Sequence, residues 1–77
     1  MADLRQRYPD NVRGRFYVDR NCIDCETCRV TAPDHFARND DGGYSFVEVQ
    51  PRDEEEEKQC AEAMRNCPVE AIGDDGK

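Results

Sequence analysis

A chain of 77 residues, 18 acidic and 11 basic, with 36% apolar residues and no tryptophan, is one small domain. At this size apolar burial and the lost chain entropy nearly cancel, so a chain this polar needs a staple, and its five cysteines can supply one. No run approaches the ~20 apolar residues of a membrane span, and Met1 to Asn11 lacks the apolar core and cleavage site of a secretory signal, so a cytoplasmic location is expected.

In a reducing compartment, closely spaced cysteines serve as metal ligands or redox thiols, and an odd number argues against a purely disulfide framework. Charge is uneven. Residues 1–20 hold five Arg and three Asp, whereas residues 21–77 hold six basic and fifteen acidic residues. The net charge of −7 argues against nucleic acid as a partner. It suits either plain solubility or transient, salt-sensitive docking of basic surfaces on an acidic face.

Residues 1–14, with Pro9 and Gly14 and no sustained period, read as an extended N-terminal arm, and residues 15–77 as the domain proper. Arg15 to Val18 suits a first strand. The cysteine cluster follows, and Glu26 to Thr31 offers a short helix stopped by Pro33. His35 to Arg38 and Tyr44 to Gln50 flank Asn39-Asp40-Asp41-Gly42-Gly43, a hairpin with turn residues that tolerate positive φ. Alternation places Ser45, Val47 and Val49 on one face, and the valines mark it as the buried one.

Asp53 opens a helix running to Asn66, its acidic first turns matching the positive N-terminal end of the helix dipole. Cys60, Ala63, Met64 and Cys67 fall at i, i+3, i+4 and i+7, a narrow apolar stripe. Pro68 stops the helix, and Val69 to Ile72 offers a last short strand. The order β, α, β, β, α, β predicts a compact α+β domain with two helices and a short antiparallel sheet.

The chemistry lies in Cys22-Ile23-Asp24-Cys25-Glu26-Thr27-Cys28, a C-x2-C-x2-C run, with Cys67-Pro68 as a remote fourth thiol. Three thiolates on one tight loop can reach three corners of an iron-sulfur cube, and the fourth must come from elsewhere in the fold. Soft thiolates are the ligands such centres select, and loop N–H groups can donate to their sulfurs. Structural zinc fits less well, because zinc ribbons use two separated knuckles. A thioredoxin-type pair has no use for the third thiol.

CIDCETC followed by NCP resembles a bacterial-type ferredoxin with a single 4Fe-4S cluster, and the similarity spans residues 15–73. The resemblance implies a small ferredoxin-like βαββαβ domain holding one cluster on Cys22, Cys25, Cys28 and Cys67. Two-cluster relatives carry a further cysteine where this chain has Ala32, and thiols where it has Glu57 and Ala63. The resemblance also allows a 3Fe-4S form after oxidative loss of an iron.

Cys60 lies seven residues before Cys67, a rotation of about 700°, so both share a helix face. It reads as a buried small hydrophobe or as a redox thiol. Some single-cluster relatives bond a cysteine in this helix to one at the position of Ala32, a partner absent here. Asp24 reads as a solvated carboxylate, His35 as an ordinary surface or half-buried side chain, and Ile23 as a shield against water.

The resulting expectation is a monomeric one-electron carrier between a reductase donor and an oxidoreductase acceptor, such as a cytochrome of the P450 class, with no catalytic residue and no membrane partner. The alternative is a regulatory or sensory iron-sulfur module working by 4Fe-4S/3Fe-4S conversion, with Cys60 and the arm as output. A colourless, redox-silent zinc domain is the third.

Overall fold

The computed structural model describes residues 2–76. The elements are β1 (Tyr17–Val18), α1 (Thr27–Thr31), β2 (Phe36–Asn39), β3 (Tyr44–Val47), α2 (Glu54–Asn66) and β4 (Ile72–Gly73), in the expected order. The strands form two separate antiparallel pairs. β1 pairs with β4 in the register Tyr17 to Gly73 and Val18 to Ile72. β2 pairs with β3 from Phe36 opposite Val47 to Asn39 opposite Tyr44.

The hairpin turn closes as its composition predicts. Asn39 accepts from the Gly42 amide through its side chain and from the Gly43 amide through its carbonyl, and Gly43 sits at φ 70°. Ser45 and Val47 face inward, as the alternation requires. Gly73 permits the close approach of the two end strands, since a Cβ there would fall 2.4 Å from the Tyr17 ring.

α2 begins one residue after the expected start, with Asp53 as its cap: the Asp53 carboxylate accepts from the Glu56 amide at 2.9 Å. Glu56 reaches back to accept from the Arg52 amide at 2.9 Å, a reciprocal arrangement that satisfies two amides at the helix start. α2 buries Cys60 and Ala63 and packs on α1. The core joins these to Phe16, Val18, Cys28, Ala32, Phe36, Val47, Ala71 and Ile72. No described helix is long and apolar enough to cross a membrane.

Three local differences from the sequence reading share one cause, the diversion of backbone groups to side chains. β1 is shorter than Arg15 to Val18, because Phe16 bonds through both its amide and its carbonyl to the side-chain amide of Gln50, at 3.0 and 2.8 Å. Val69 to Ala71 is not strand; Glu70 sits at φ 53° and the Ala71 amide points at Cys67 Sγ, 3.2 Å away. His35 is buried, 1% exposed, with Nδ1 2.8 Å from the Val49 carbonyl and Nε2 3.7 Å from Glu56.

Residues 3–14, expected as an extended arm, are held against the body. Leu4–Gln6 forms a short 3-10 turn capped by Asp3, and the backbone of Arg7 pairs with that of Asp19 in an isolated antiparallel β-bridge. Tyr8 stacks on Tyr44 with ring centroids 3.5 Å apart and an interplanar angle of 4°. Asp10 accepts from the Tyr44 hydroxyl and from Asn39, and Asn11 bonds to the backbone of both β1 and β3.

Candidate metal centre

Residues 22–28 form a tight loop because two of them adopt left-handed backbone, Asp24 at φ 57° and Glu26 at φ 69°. Each reversal turns the chain back, so that Cys22, Cys25 and Cys28 face one side. α1 begins at Thr27 and carries Cys28 into the core. Cys67 arrives from the C-terminal cap of α2, where Pro68 forbids further helix.

The four thiols that the sequence singled out, Cys22, Cys25, Cys28 and Cys67, line one cavity. Its apolar walls are Val18, Val69, Ala71 and Ile72, and Ile23, Glu26 and Ser45 complete it. All five cysteines are free, and Cys60 is buried in the core away from this lining. Among the described residues, no three His, Cys, Asp or Glu groups converge closely enough to hold a single ion. Thiols spread around a cavity suit a centre whose irons sit at separate corners.

Backbone amides point at two of the sulfurs. The amides of Asp24 and Ser45 each lie 3.4 Å from Cys22 Sγ, and that of Ala71 lies 3.2 Å from Cys67 Sγ. Such N–H groups favour a negatively charged sulfur. Cys25 is exposed, and its hydrogen bond with Thr27 Oγ1, at 3.4 Å, draws its thiol below the ordinary range. Burial pushes the Cys28 thiol up, partly offset by a hydrogen bond from Ser45.

Asp24 is not the freely solvated carboxylate expected. It accepts from Arg38 Nε and from Arg29 Nη1, both at 2.9 Å. These bonds, Arg38 first, hold its carboxyl below the usual range. Arg29 Nη1 also donates to Ser45 Oγ at 2.9 Å, and its buried Nη2 lies 3.5 Å from Glu26 without a hydrogen-bond partner. A network of Arg38, Asp24, Arg29 and Ser45 thus braces the cysteine loop against the hairpin. Ile23 is 60% exposed, so it covers the cavity edge rather than lying within it.

Sequence reasoning missed Ser45, Ala71 and Arg29. Ser45 left a faint trace, a polar residue on the buried face of its strand. Of the two-cluster positions, Ala32, Cys60 and Ala63 are each 0% exposed within the core, whereas Glu57 is exposed on the surface of α2.

Residues 18–74 match the family described as the 4Fe-4S single cluster domain of Ferredoxin I. Ferredoxin-1 of Desulfocurvibacter africanus is 40% identical over 60 residues, covering 75% of this chain and 88% of that protein. The crystal structure of ferredoxin I from Desulfovibrio africanus at 2.3 Å resolution superposes with a TM-score of 0.62 at 38% identity, over 74% of this chain and 88% of that one. The minimized average NMR structure of the oxidised Desulfovibrio africanus protein gives 0.61 at 37% identity, over 77% and 91%. The family match begins at Val18, so the arm lies outside it. With four thiols around one cavity and this match over most of its length, the chain belongs to the single-cluster 4Fe-4S ferredoxin family.

Proposed function

We propose that the chain carries one electron at a time between a reductase and an acceptor oxidoreductase, with a single 4Fe-4S cluster held by Cys22, Cys25, Cys28 and Cys67. The observation that carries this reading is the convergence of those four thiols on one cavity walled mainly by aliphatic side chains, with Glu26 and Ser45 completing the lining. Ferredoxins are electron-transfer proteins, not enzymes, and no residue here takes an acid-base or nucleophilic role. When bound, a 4Fe-4S cluster takes up and returns a single electron.

The chain's own residues supply the setting. Val18, Val69 and Ile72 exclude water, and the amides of Asp24, Ser45 and Ala71 offset negative charge on sulfur. Cys25 and Ile23 stand exposed at the cavity edge, which gives a partner a short approach. The exposed carboxylates of Glu54, Glu55 and Glu57 in the first turns of α2 offer an acidic face for brief docking of a basic partner. A monomer in a reducing cytoplasm suits this role, and an acceptor of the cytochrome P450 class is consistent with it.

The test is electron paramagnetic resonance on anaerobically purified protein before and after dithionite, with iron and sulfide counted per chain. A silent oxidised sample that gains a signal on reduction, with four irons and four sulfides, is expected. Serine at any one of the four positions should lower both counts, whereas Cys60→Ser should not. A signal already present in the oxidised sample, with three irons, overturns the four-thiol assignment and favours cluster conversion as the function.

A further inference from the structure

The arm and the body enclose an open groove of about 1260 Å³ whose lining includes Leu4, Tyr8, Val12 and the arginines Arg5, Arg7, Arg13 and Arg20. Four guanidinium groups line it and, among the described residues, no carboxylate does, although Asp3 pairs with Arg5 and Asp75 bonds the Tyr17 hydroxyl at its margin, in a chain with 18 acidic and 11 basic residues. Arg7, Arg13 and Arg20 are exposed, and among the described residues none has a carboxylate within ion-pair distance; only Arg5 does, pairing with Asp3 at 3.4 Å. We propose that this groove docks an acidic polypeptide segment on the surface of one redox partner, a role distinct from that of the acidic face of α2.

The groove's size and openness favour a polypeptide over a small molecule, whose pockets run to about 300–1,000 Å³. The field of its arginines is local. With a screening length of about 8 Å at physiological salt, a short acidic patch seated here feels the guanidinium groups more than the carboxylates of α2. A long polyanion or an anionic membrane extends past the groove and meets the rest of a molecule of net charge −7. Val12, 40% exposed, and Leu4 supply apolar contact between the charges.

The groove also adjoins the metal centre. Arg20, two residues before Cys22, stacks over the Tyr8 ring at 5.2 Å, and Tyr8 and Cys22 both pack against the same core. A partner seated in the groove therefore touches side chains next to one of the four thiols, and a carrier must meet two partners, a donor and an acceptor. The inference rests on the carrier reading for the partner's identity, but not for the groove's charge.

The test uses cluster-loaded protein and a fluorescein-labelled peptide of alternating Glu and Gly, followed by anisotropy and by amide shifts. Binding that weakens with salt, shifts amides over residues 4–14 and at Arg20, and falls at least tenfold in Arg7→Gln/Arg13→Gln is expected, with Glu54→Gln/Glu55→Gln unchanged. The charge-reversed Arg7→Glu/Arg13→Glu protein should instead bind a Lys-Gly peptide, a gain that misfolding cannot produce. Equal binding by wild type and the glutamine variant, absence of binding, or tighter binding of a single-stranded oligonucleotide would each overturn the proposal. Paramagnetic resonance on the same samples reports the carrier reading separately: a centre that cannot be reduced removes that reading whatever the peptide does.

Discussion

Arg29 and Asp24 are joined at 2.9 Å beneath the cysteine loop, and the Arg29 nitrogen that makes this bond also donates to the Ser45 hydroxyl. Asp24 occupies left-handed backbone, so the two arginines that grip its carboxylate also hold a strained turn in place. The Arg29 side chain is only 15% exposed, which leaves its charge lightly screened. Arg29→Gln should therefore lower the reduction potential, because a nearby positive charge stabilises an added electron. An interaction of about 1 kcal/mol corresponds to roughly 40 mV for one electron. A potentiometric titration decides it, and an unchanged potential would assign Arg29 a bracing role alone.

Asn11 stands in for a missing strand. Its Oδ1 accepts from the amides of Val18 and Val47 at 3.0 and 2.8 Å, and its Nδ2 donates to the carbonyls of Tyr8 and Val18 at 2.7 and 2.9 Å. Asn11→Ala leaves the Val18 and Val47 amides without this acceptor, while the Tyr8 and Val18 carbonyls keep the amides of Asn11 and Tyr8, and should cost ~2–4 kcal/mol. Asn11→Asp keeps the acceptor but turns a second oxygen toward two carbonyls, so it should not restore stability. Urea denaturation measures both, and faster hydrogen exchange at the Val18 and Val47 amides should accompany the loss. Wild-type exchange in Asn11→Ala would mean that water replaces the side chain without penalty.

Local rules reached the hairpin, its buried face, the helix between Pro51 and Pro68, and the three closely spaced thiols, because each depends on residues a few positions apart; remote Cys67 is marked by its Cys-Pro pair and the family resemblance instead. They did not reach Asn11 or Gln50, whose side chains replace ladder bonds across 36 and 34 residues. His35 is buried with its ring nitrogens facing Val49 and Glu56, which come from two other segments. Asp24 looked solvated because Arg38, which comes from the hairpin, cannot be brought to it by sequence alone. The arm appeared loose for the same reason, since Tyr8 gains its order from Tyr44.

Ala63 is fully buried on α2, the helix that packs against α1, and α1 carries Cys28. A larger side chain there must push α1 away or adopt a poor rotamer, at a cost of ~1–3 kcal/mol. Ala63→Leu should thus lower the melting temperature and also the iron retained per chain after gel filtration, whereas a leucine at exposed Glu62 should alter neither by much. Full iron retention in a destabilised Ala63→Leu protein would show that the helix packing and the cysteine loop are independent.

Cys60 is 0% exposed, and burial, with smaller contributions from Glu56 and Glu57, pushes its thiol up to about 11 from an ordinary value of 9.0. The folded protein therefore keeps a proton that the unfolded chain gives up, so the associated stability is whole below pH 9 and lost as pH rises toward about 11. Cys60→Ala removes this titration at the expense of a small cavity. The stability difference between wild type and Cys60→Ala, taken from urea denaturation in anaerobic buffers, should shrink steadily across that range. Tyr17, whose phenol is also raised, first by burial and then by its bond to Asp75, titrates in both proteins and drops out of the difference. A gap that stays constant with pH would place the Cys60 proton in solvent reach, and with it the thiol itself.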